Sequence, residues 1–141
     1  MPPTLYAVVK LALQNKGSRS SEETEGQVLQ KTAALLNSAF QPFLAGNFNA
    51  DNAEVKGVLM VQESARIIQL IQLVDLEMNP LRFNYALGVG SINGKITADS
   101  YEETGPAWTR ANRALKEAAR SNRDIVVRLP SSFLTRTVNT L

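Results

Sequence analysis

Few residues of this 141-residue chain can do chemistry, because the sequence contains neither histidine nor cysteine. Histidine is the commonest metal ligand and the usual general base near neutral pH, while cysteine supplies thiolates and disulfides. Catalysis would therefore depend on carboxylates, lysines, hydroxyls or a metal held by oxygen. We assign no catalytic residue, no metal ligand and no cofactor. Five residues remain as candidates for binding a ligand: Lys10, Glu54, Gly88, Gly90 and Arg110.

Lys10 and Glu54 are charged residues within predicted strands. Burying a charge is costly unless it is compensated, so one interpretation pairs Lys10 with Glu54 or with a bound anion. The other places Lys10 on an edge strand, from which its ammonium extends into water. Asp51 and Glu54 are close enough in sequence to share a cation, but two carboxylates without a third ligand do not make a metal site.

Gly88 and Gly90 lie on one face of a predicted strand whose other face is large and apolar. Glycine within a strand leaves a gap that a ligand or a neighbouring backbone can approach closely. The gap could hold a nucleotide base or phosphate, or it could let a helix pack closely on the sheet. We favour packing.

Arg110 begins a run of cations in the C-terminal part of the chain. The other members are Arg113, Lys116, Arg120 and Arg123. Such a run could contact nucleic acid, but Glu117 and Asp124 interrupt it and no aromatic residues interleave with it. We favour a solvated helix face.

Hydrophobic spacing predicts the elements that position these residues. Residues 4–13 alternate as a strand. A capping box formed by Ser20 and Glu23 would open a helix over residues 21–40. Two short strands between residues 47 and 59 would flank a turn at Asp51 and Asn52.

The second half of the chain has clearer patterns. It predicts a helix over residues 62–78, a strand over 81–90, a helix over 105–121 and a last strand over 124–129. Asn93-Gly94 predicts a hairpin that pairs residues 90–92 with residues 95–97. The 62–78 helix is apolar over more than one stripe, so it is either covered on two sides or meets a partner subunit. We expect a homo-oligomer that forms through this helix.

The predicted order of elements is β-α-β-β-α-β-β-α-β. It favours a single α+β domain over residues 1–129, followed by a polar tail over residues 130–141. The expected architecture is a ferredoxin-like βαββαβ sheet with helices on one face, plus an added hairpin, helix and strand. The chain has a formal charge of +2, no pattern typical of a secretory signal and no predicted membrane helix. We expect a cytoplasmic protein.

The stretch RFNYALGVGSI, a turn, and then TGPAWTRANRALKEA resemble the N-terminal part of the SatD family. SatD members have a similar RFGIGIGEI-type strand followed by DGPA(Y/F)xxAR, and they tend to be longer. More distantly, the chain is similar to the palm-like domain of class III nucleotidyl cyclases and GGDEF proteins. The resemblance extends loosely over residues 5–128 and is specific over residues 81–118. It implies a cyclase-like scaffold.

This resemblance also implies a metal site, because aspartates in the first strand and the following hairpin of cyclase relatives bind the Mg²⁺ ions that hold a triphosphate. The chain departs from that pattern. Aligning Gly57 with the family glycine places Ala53 at the hairpin aspartate and Glu54 at the glutamate, and Lys10 falls at or beside the first aspartate. The resemblance therefore implies a degenerate metal site.

Three hypotheses about function follow. The favoured one is a non-catalytic regulatory or protein-interaction domain. The second is a nucleotide- or anion-binding sensor or enzyme that uses Lys10 and Arg110. The third is a nucleic-acid-binding protein that uses its C-terminal arginines.

Overall fold

A computed structural model describes residues 4–14, 24–51, 53–121 and 125–128 of the chain. Its regular elements, in chain order, are β1 (Tyr6–Leu13), α1 (Glu25–Phe40), β2 (Leu44–Asp51), β3 (Glu54–Met60), α2 (Ile67–Met78), β4 (Phe83–Gly90), α3 (Pro106–Arg120) and β5 (Ile125–Arg128). Short 3₁₀ segments, Gln41–Phe43 and Val61–Arg66, precede β2 and α2. The predicted tail, residues 130–141, lies outside the described residues.

The five strands form one sheet in the order β2-β3-β1-β4-β5. β1 is antiparallel to both β3 and β4, and β5 is parallel to β4. The first four strands with α1 and α2 form the ferredoxin-like βαββαβ unit, and α3 and β5 are added to it. The predicted α+β class is therefore confirmed. Because β1 is the central strand, Lys10 does not lie at an edge of the sheet.

The two faces of the sheet pack against different helices, since successive side chains of a strand point to opposite faces. One face packs on α1 and α2, as predicted for the ferredoxin-like unit. Its core includes Val9, Leu11, Val28, Leu36, Leu70, Val74, Phe83, Tyr85 and Leu87. The opposite face packs on the added helix α3 through Val8, Ala86, Ala107, Trp108, Ala111, Ala114 and Ala118.

The predicted capping box of α1 is wrong by one turn. Thr24 is the N-cap: its hydroxyl accepts a hydrogen bond from the Gln27 amide at 3.2 Å, and the Gln27 side chain accepts one from the Thr24 amide at 2.9 Å. Thr24 has an extended backbone, so the helix begins at Glu25 and not at residue 21. Ser20 and Glu23 lie outside the described residues.

The predicted hairpin at Asn93-Gly94 is also wrong. Gly94 has the positive φ of a turn, 76°, but the only β-bridge within this described loop joins Ile96 to Tyr101. The backbone after β4 bonds to the beginning of α3 and to the loop just before it instead. The Ser91 carbonyl accepts a hydrogen bond from the Ala107 amide at 3.0 Å, and the Asn93 amide donates one to the Thr104 carbonyl at 3.0 Å.

Two other predicted elements need smaller corrections. The hairpin between residues 47 and 59 forms, but Asp51 pairs with Glu54, so the reversal lies between them and the positive φ of 65° falls on Ala53. The helix predicted from residue 62 begins as the 3₁₀ segment, and its α-helical part starts at Ile67. Among the described residues, no helix has the length and apolar character needed to cross a bilayer.

Candidate functional site

Lys10 and Glu54 meet on the face of the sheet that packs against α3. The Lys10 ammonium lies 2.8 Å from a Glu54 carboxylate oxygen. In the antiparallel register Glu54 is opposite Ala12, so Lys10 is its diagonal neighbour, within reach of a long side chain. The Lys10 side chain is 8% exposed and the Glu54 side chain 27% exposed. The ion pair is therefore largely removed from water on the lysine side.

A second buried lysine lies beside the first. Lys56 on β3 is directly opposite Lys10 on β1, and like charges in such a pair repel. The Lys56 ammonium is 2.7 Å from a Glu103 oxygen and 3.4 Å from an Asp51 oxygen. Burial lowers the pKa of Lys56, but the hydrogen bonds and charges of Glu103 and Asp51 outweigh this effect and raise it. Lys56 therefore stays protonated. We call Lys10, Asp51, Glu54, Lys56 and Glu103 the charged cluster.

Two aromatic side chains lie against the charged cluster. The Lys10 ammonium is 5.9 Å from the centroid of the Trp108 ring, within the range of a cation–π contact. Tyr101 stacks on Trp108 with ring centroids 5.7 Å apart. The Tyr101 hydroxyl donates a hydrogen bond to the backbone carbonyl of Asn47 at 2.8 Å. It accepts one from the side-chain amide of Asn49 at 2.9 Å. Burial, aided by the Glu103 charge, raises the pKa of Tyr101 to about 12.

The contacts of Tyr101 and Glu103 hold the loop between β4 and α3 against the sheet. Tyr101 and Glu103 both belong to this loop, and each reaches a residue of the β2–β3 hairpin. The ring of Tyr101 also covers Gly46, where an added β-carbon would lie 2.7 Å from it. The loop therefore covers part of the charged cluster, in which the Asp51 and Glu103 side chains stay 57% and 42% exposed.

The side chains of the charged cluster do not fit a Mg²⁺ site of the kind that the resemblance implies. Magnesium needs anionic oxygens in octahedral geometry. Here Glu54 and Asp51 each bind a lysine ammonium, and Ala53 offers only a methyl group. In the parts of the chain that the structure describes, no group of three or more histidine, cysteine or acidic residues is placed to hold a metal ion.

Gly88 and Gly90 lie beneath α3. A β-carbon on Gly88 would collide with the backbone of Ala107 and Ala111, coming within 2.9 Å of the Ala111 Cα. A β-carbon on Gly90 would collide with the Arg110 guanidinium. The face of β4 that carries Gly88 and Gly90 has no large side chains, and we call it the bare face of β4. It lets the helix approach the sheet closely. That either glycine binds a ligand stays a prediction.

Arg110 and Lys10 do not converge on one point. The Arg110 guanidinium donates to the Val89 carbonyl at 2.8 Å, whereas Lys10 is paired across the sheet with Ala86. Three residues along a strand span roughly 10 Å. The structure thus brings Lys10 and Glu54 together and leaves Arg110 near the end of β4.

A groove of about 420 Å³ lies on the other face of the sheet, near the end of α2 and the beginning of β4. Its wall includes Asp75, Arg82 and Tyr85, and the buried Tyr85 hydroxyl donates to Asp75 at 3.0 Å. None of the five predicted ligand-binding residues lines it.

Sequence reasoning missed Lys56, Glu103 and Tyr101. Lys56 had a detectable pattern: it lies two residues after Glu54, so period-two alternation places both on the same face of β3. Glu103 and Tyr101 had none, because they lie in an irregular loop whose path over the sheet is set by tertiary packing.

Comparisons with solved structures identify the fold. A microbial GGDEF domain, described in an interaction with bis-(3,5)-cyclic di-GMP, superposes with a TM-score of 0.54 at 14% identity, over 90% of this chain and 78% of that one. The active GGEEF domain of a diguanylate cyclase from Vibrio cholerae superposes with a TM-score of 0.51 at 17% identity, over 89% of this chain and 83% of that one. The fold is that of a GGDEF domain.

At these identities the likeness establishes the cyclase-like palm fold alone. No protein-family model matches the chain, and no curated protein matches it either. The resemblance to the SatD family therefore stays a prediction.

Proposed function

We propose that the chain is a non-catalytic regulatory or protein-interaction domain, built on a cyclase-like scaffold that has lost its metal-binding aspartates. The observation that carries this proposal is the ion pair between Lys10 and Glu54. It occupies the positions where the resemblance to cyclases expects carboxylates free to bind Mg²⁺.

The charge of the cluster supports the proposal. Two-metal phosphoryl chemistry needs anionic oxygens that fix the cations, and the cations neutralise the developing negative charge. At this place the chain has two buried ammonium groups instead, and each is held by a carboxylate at 2.7–2.8 Å. A divalent cation would have to displace a lysine from its partner and leave that lysine charged and buried, which is strongly unfavourable.

The experiment is a turnover assay with the purified chain. We expect no product from GTP or ATP with Mg²⁺ or Mn²⁺, under conditions in which an active diguanylate cyclase forms cyclic di-GMP. Product formation that depends on the chain and falls in a Glu54→Gln variant would contradict the proposal.

Self-association through α2 is a further part of this proposal. Ile68 and Leu76 on α2 are 62% and 75% exposed, whereas Ile67, Leu70 and Val74 face the core. The two exposed side chains lie on one side of the helix, separated by about 80° around its axis. Two exposed large apolar side chains on one side of α2 favour a homo-oligomer that forms through this helix.

The predicted cytoplasmic location and the SatD resemblance also belong to this proposal. We do not propose a nucleotide- or anion-binding site that uses Lys10 and Arg110, because the Lys10 ammonium is bound by Glu54 and the Arg110 guanidinium by the Val89 carbonyl.

A further inference from the structure

The outer face of α3 carries three cations that the charged cluster and the core do not use. Arg113, Lys116 and Arg120 are all exposed. Their spacing of three and then four residues places them along one side of the helix, over roughly 10 Å of its axis. Among the described residues, no ion pair joins any of them to a carboxylate. We call these three residues the α3 basic stripe.

The fold places Glu117 where it does not reduce the charge of the α3 basic stripe. In the sequence Glu117 interrupts the run of cations. In the fold Glu117 forms an ion pair with Arg128 on β5. Its charge is therefore already compensated by a residue outside the helix, and the α3 basic stripe keeps its full positive charge.

The chemistry around the α3 basic stripe distinguishes between possible partners. The buried side of α3 is made largely of alanines and Trp108, and the sheet already covers it, so the helix has no apolar face left to insert into a bilayer. Asn112 and Ala119 are among the exposed residues beside the stripe, and no aromatic or large apolar residue of α3 is exposed. Protein interfaces need apolar or aromatic anchors at their centre, and single-stranded nucleic acids need aromatic platforms for their bases.

A phosphate backbone needs neither of these features. It needs exposed cations at successive positions, and arginine matches phosphate with two parallel hydrogen bonds. We propose that α3 binds the backbone of double-stranded nucleic acid through Arg113, Lys116 and Arg120, without reading its sequence.

The size of the effect follows from counterion release. Three neutralised phosphates give a slope of about −2.7 in a plot of log affinity against log salt concentration. Raising the salt from 50 to 200 mM should then weaken binding about 40-fold.

The test is fluorescence anisotropy of the full chain with labelled 20-base-pair DNA and RNA duplexes of two unrelated sequences. The variant pair is matched in charge and residue type. Arg113→Gln/Lys116→Gln removes two cations from the stripe, and Arg82→Gln/Lys95→Gln removes two exposed cations elsewhere. All four positions are exposed, and glutamine is a good helix former at the two that lie in α3, so both variants should fold.

We expect equal binding of the two sequences, the stated salt slope, and at least a tenfold loss in Arg113→Gln/Lys116→Gln with less than a threefold loss in the control. Absence of binding at 50 mM salt would overturn the proposal, as would equal losses in the two variants. Tighter binding to polyglutamate or to phosphatidylserine vesicles than to the duplexes would overturn it in favour of an acidic protein or a membrane.

Discussion

At the scale of single residues, Lys10 and Glu54 differ in how far each is removed from water. Lys10 is 8% exposed and Glu54 27% exposed in the side chain. Removing the acid leaves a buried ammonium beside Lys56, whereas removing the lysine leaves a carboxylate that water can reach. We therefore expect Glu54→Gln to lower the free energy of unfolding by about 2 kcal/mol. Lys10→Met, which also relieves the repulsion by Lys56, should change it by less than about 1 kcal/mol.

Chemical denaturation of both variants measures this asymmetry, and Lys95→Met, at an exposed position outside the cluster, is the control. If Lys10→Met were the more destabilising of the two, the burial that we assign to the ion pair would be wrong.

Tyr101 makes the stability of the fold depend on pH in the alkaline range. Its pKa is raised to about 12, above the ordinary value of 10, so the unfolded chain loses this proton first. Stability is thus fully present below pH 10 and falls as the pH rises from 10 to 12. Tyr101→Phe cannot ionise, and we expect a flatter stability curve over this interval, measured by denaturation at several pH values. Parallel curves for the two proteins would contradict the assignment.

The sequence could predict part of this site. A lysine within a strand needs a compensating charge, and Glu54 was the acid that the hairpin placed nearest to Lys10. The sequence could not predict that β1 is central, since this depends on the pairing of strands far apart in the chain. Nor could it predict the contact between Glu103 and Lys56, which are separated by 47 positions.

At the scale of elements, the close packing of α3 on β4 depends on Gly88. A β-carbon at this position would collide with the backbone of α3, which cannot move away as a flexible side chain can. We expect Gly88→Ala to destabilise the fold by about 2–3 kcal/mol. Gly26→Ala is the matched control: the added methyl group has no neighbour closer than 3.9 Å and lies in α1, so it should stabilise the fold by about 0.5 kcal/mol.

Thermal or chemical unfolding of the two alanine variants measures this difference. Equal stabilities would mean that the bare face of β4 is not needed for helix packing, and a ligand above Gly88 would become the better explanation.

The elements that the sequence predicts best are those with strong local patterns. The alternation of large and small residues in β4 and the apolar spacing of α3 each identify one element correctly. The Asn93-Gly94 hairpin failed because a turn sequence specifies only the reversal. Whether strands pair beyond it depends on the other partners that the backbone finds, and here the backbones of Ser91 and Asn93 bond to Ala107 and Thr104.

At the scale of the whole molecule, the apolar outer face of α2 has a consequence for the state of association. We expect the mass measured by light scattering to rise with concentration towards that of a dimer. Ile68→Gln/Leu76→Gln should stay monomeric, because it removes the exposed apolar area, whereas Gln30→Ala/Ser38→Ala, at exposed positions of α1, should behave as the parent chain. A parent chain that stays strictly monomeric at millimolar concentration would contradict self-association.

The whole molecule also shows that this fold tolerates large differences in sequence. The architecture matches GGDEF domains over 90% of the chain, although only 14% of the aligned residues are identical. The fold needs the pattern of apolar and small residues, and many sequences satisfy that pattern. Metal chemistry needs particular carboxylates, and our proposal is that the lysine at one of those positions removes it.

The most direct test is the binding of Mn²⁺ to the pure chain, followed by the loss of the free-ion signal in electron paramagnetic resonance, with and without GTP. The ion pair between Lys10 and Glu54 predicts that the signal stays at the level of a protein-free solution with the same GTP concentration, up to millimolar Mn²⁺. Stoichiometric binding of Mn²⁺ that is lost in Glu54→Gln would show that the chain still holds catalytic cations, and the proposal of a non-catalytic scaffold would be wrong.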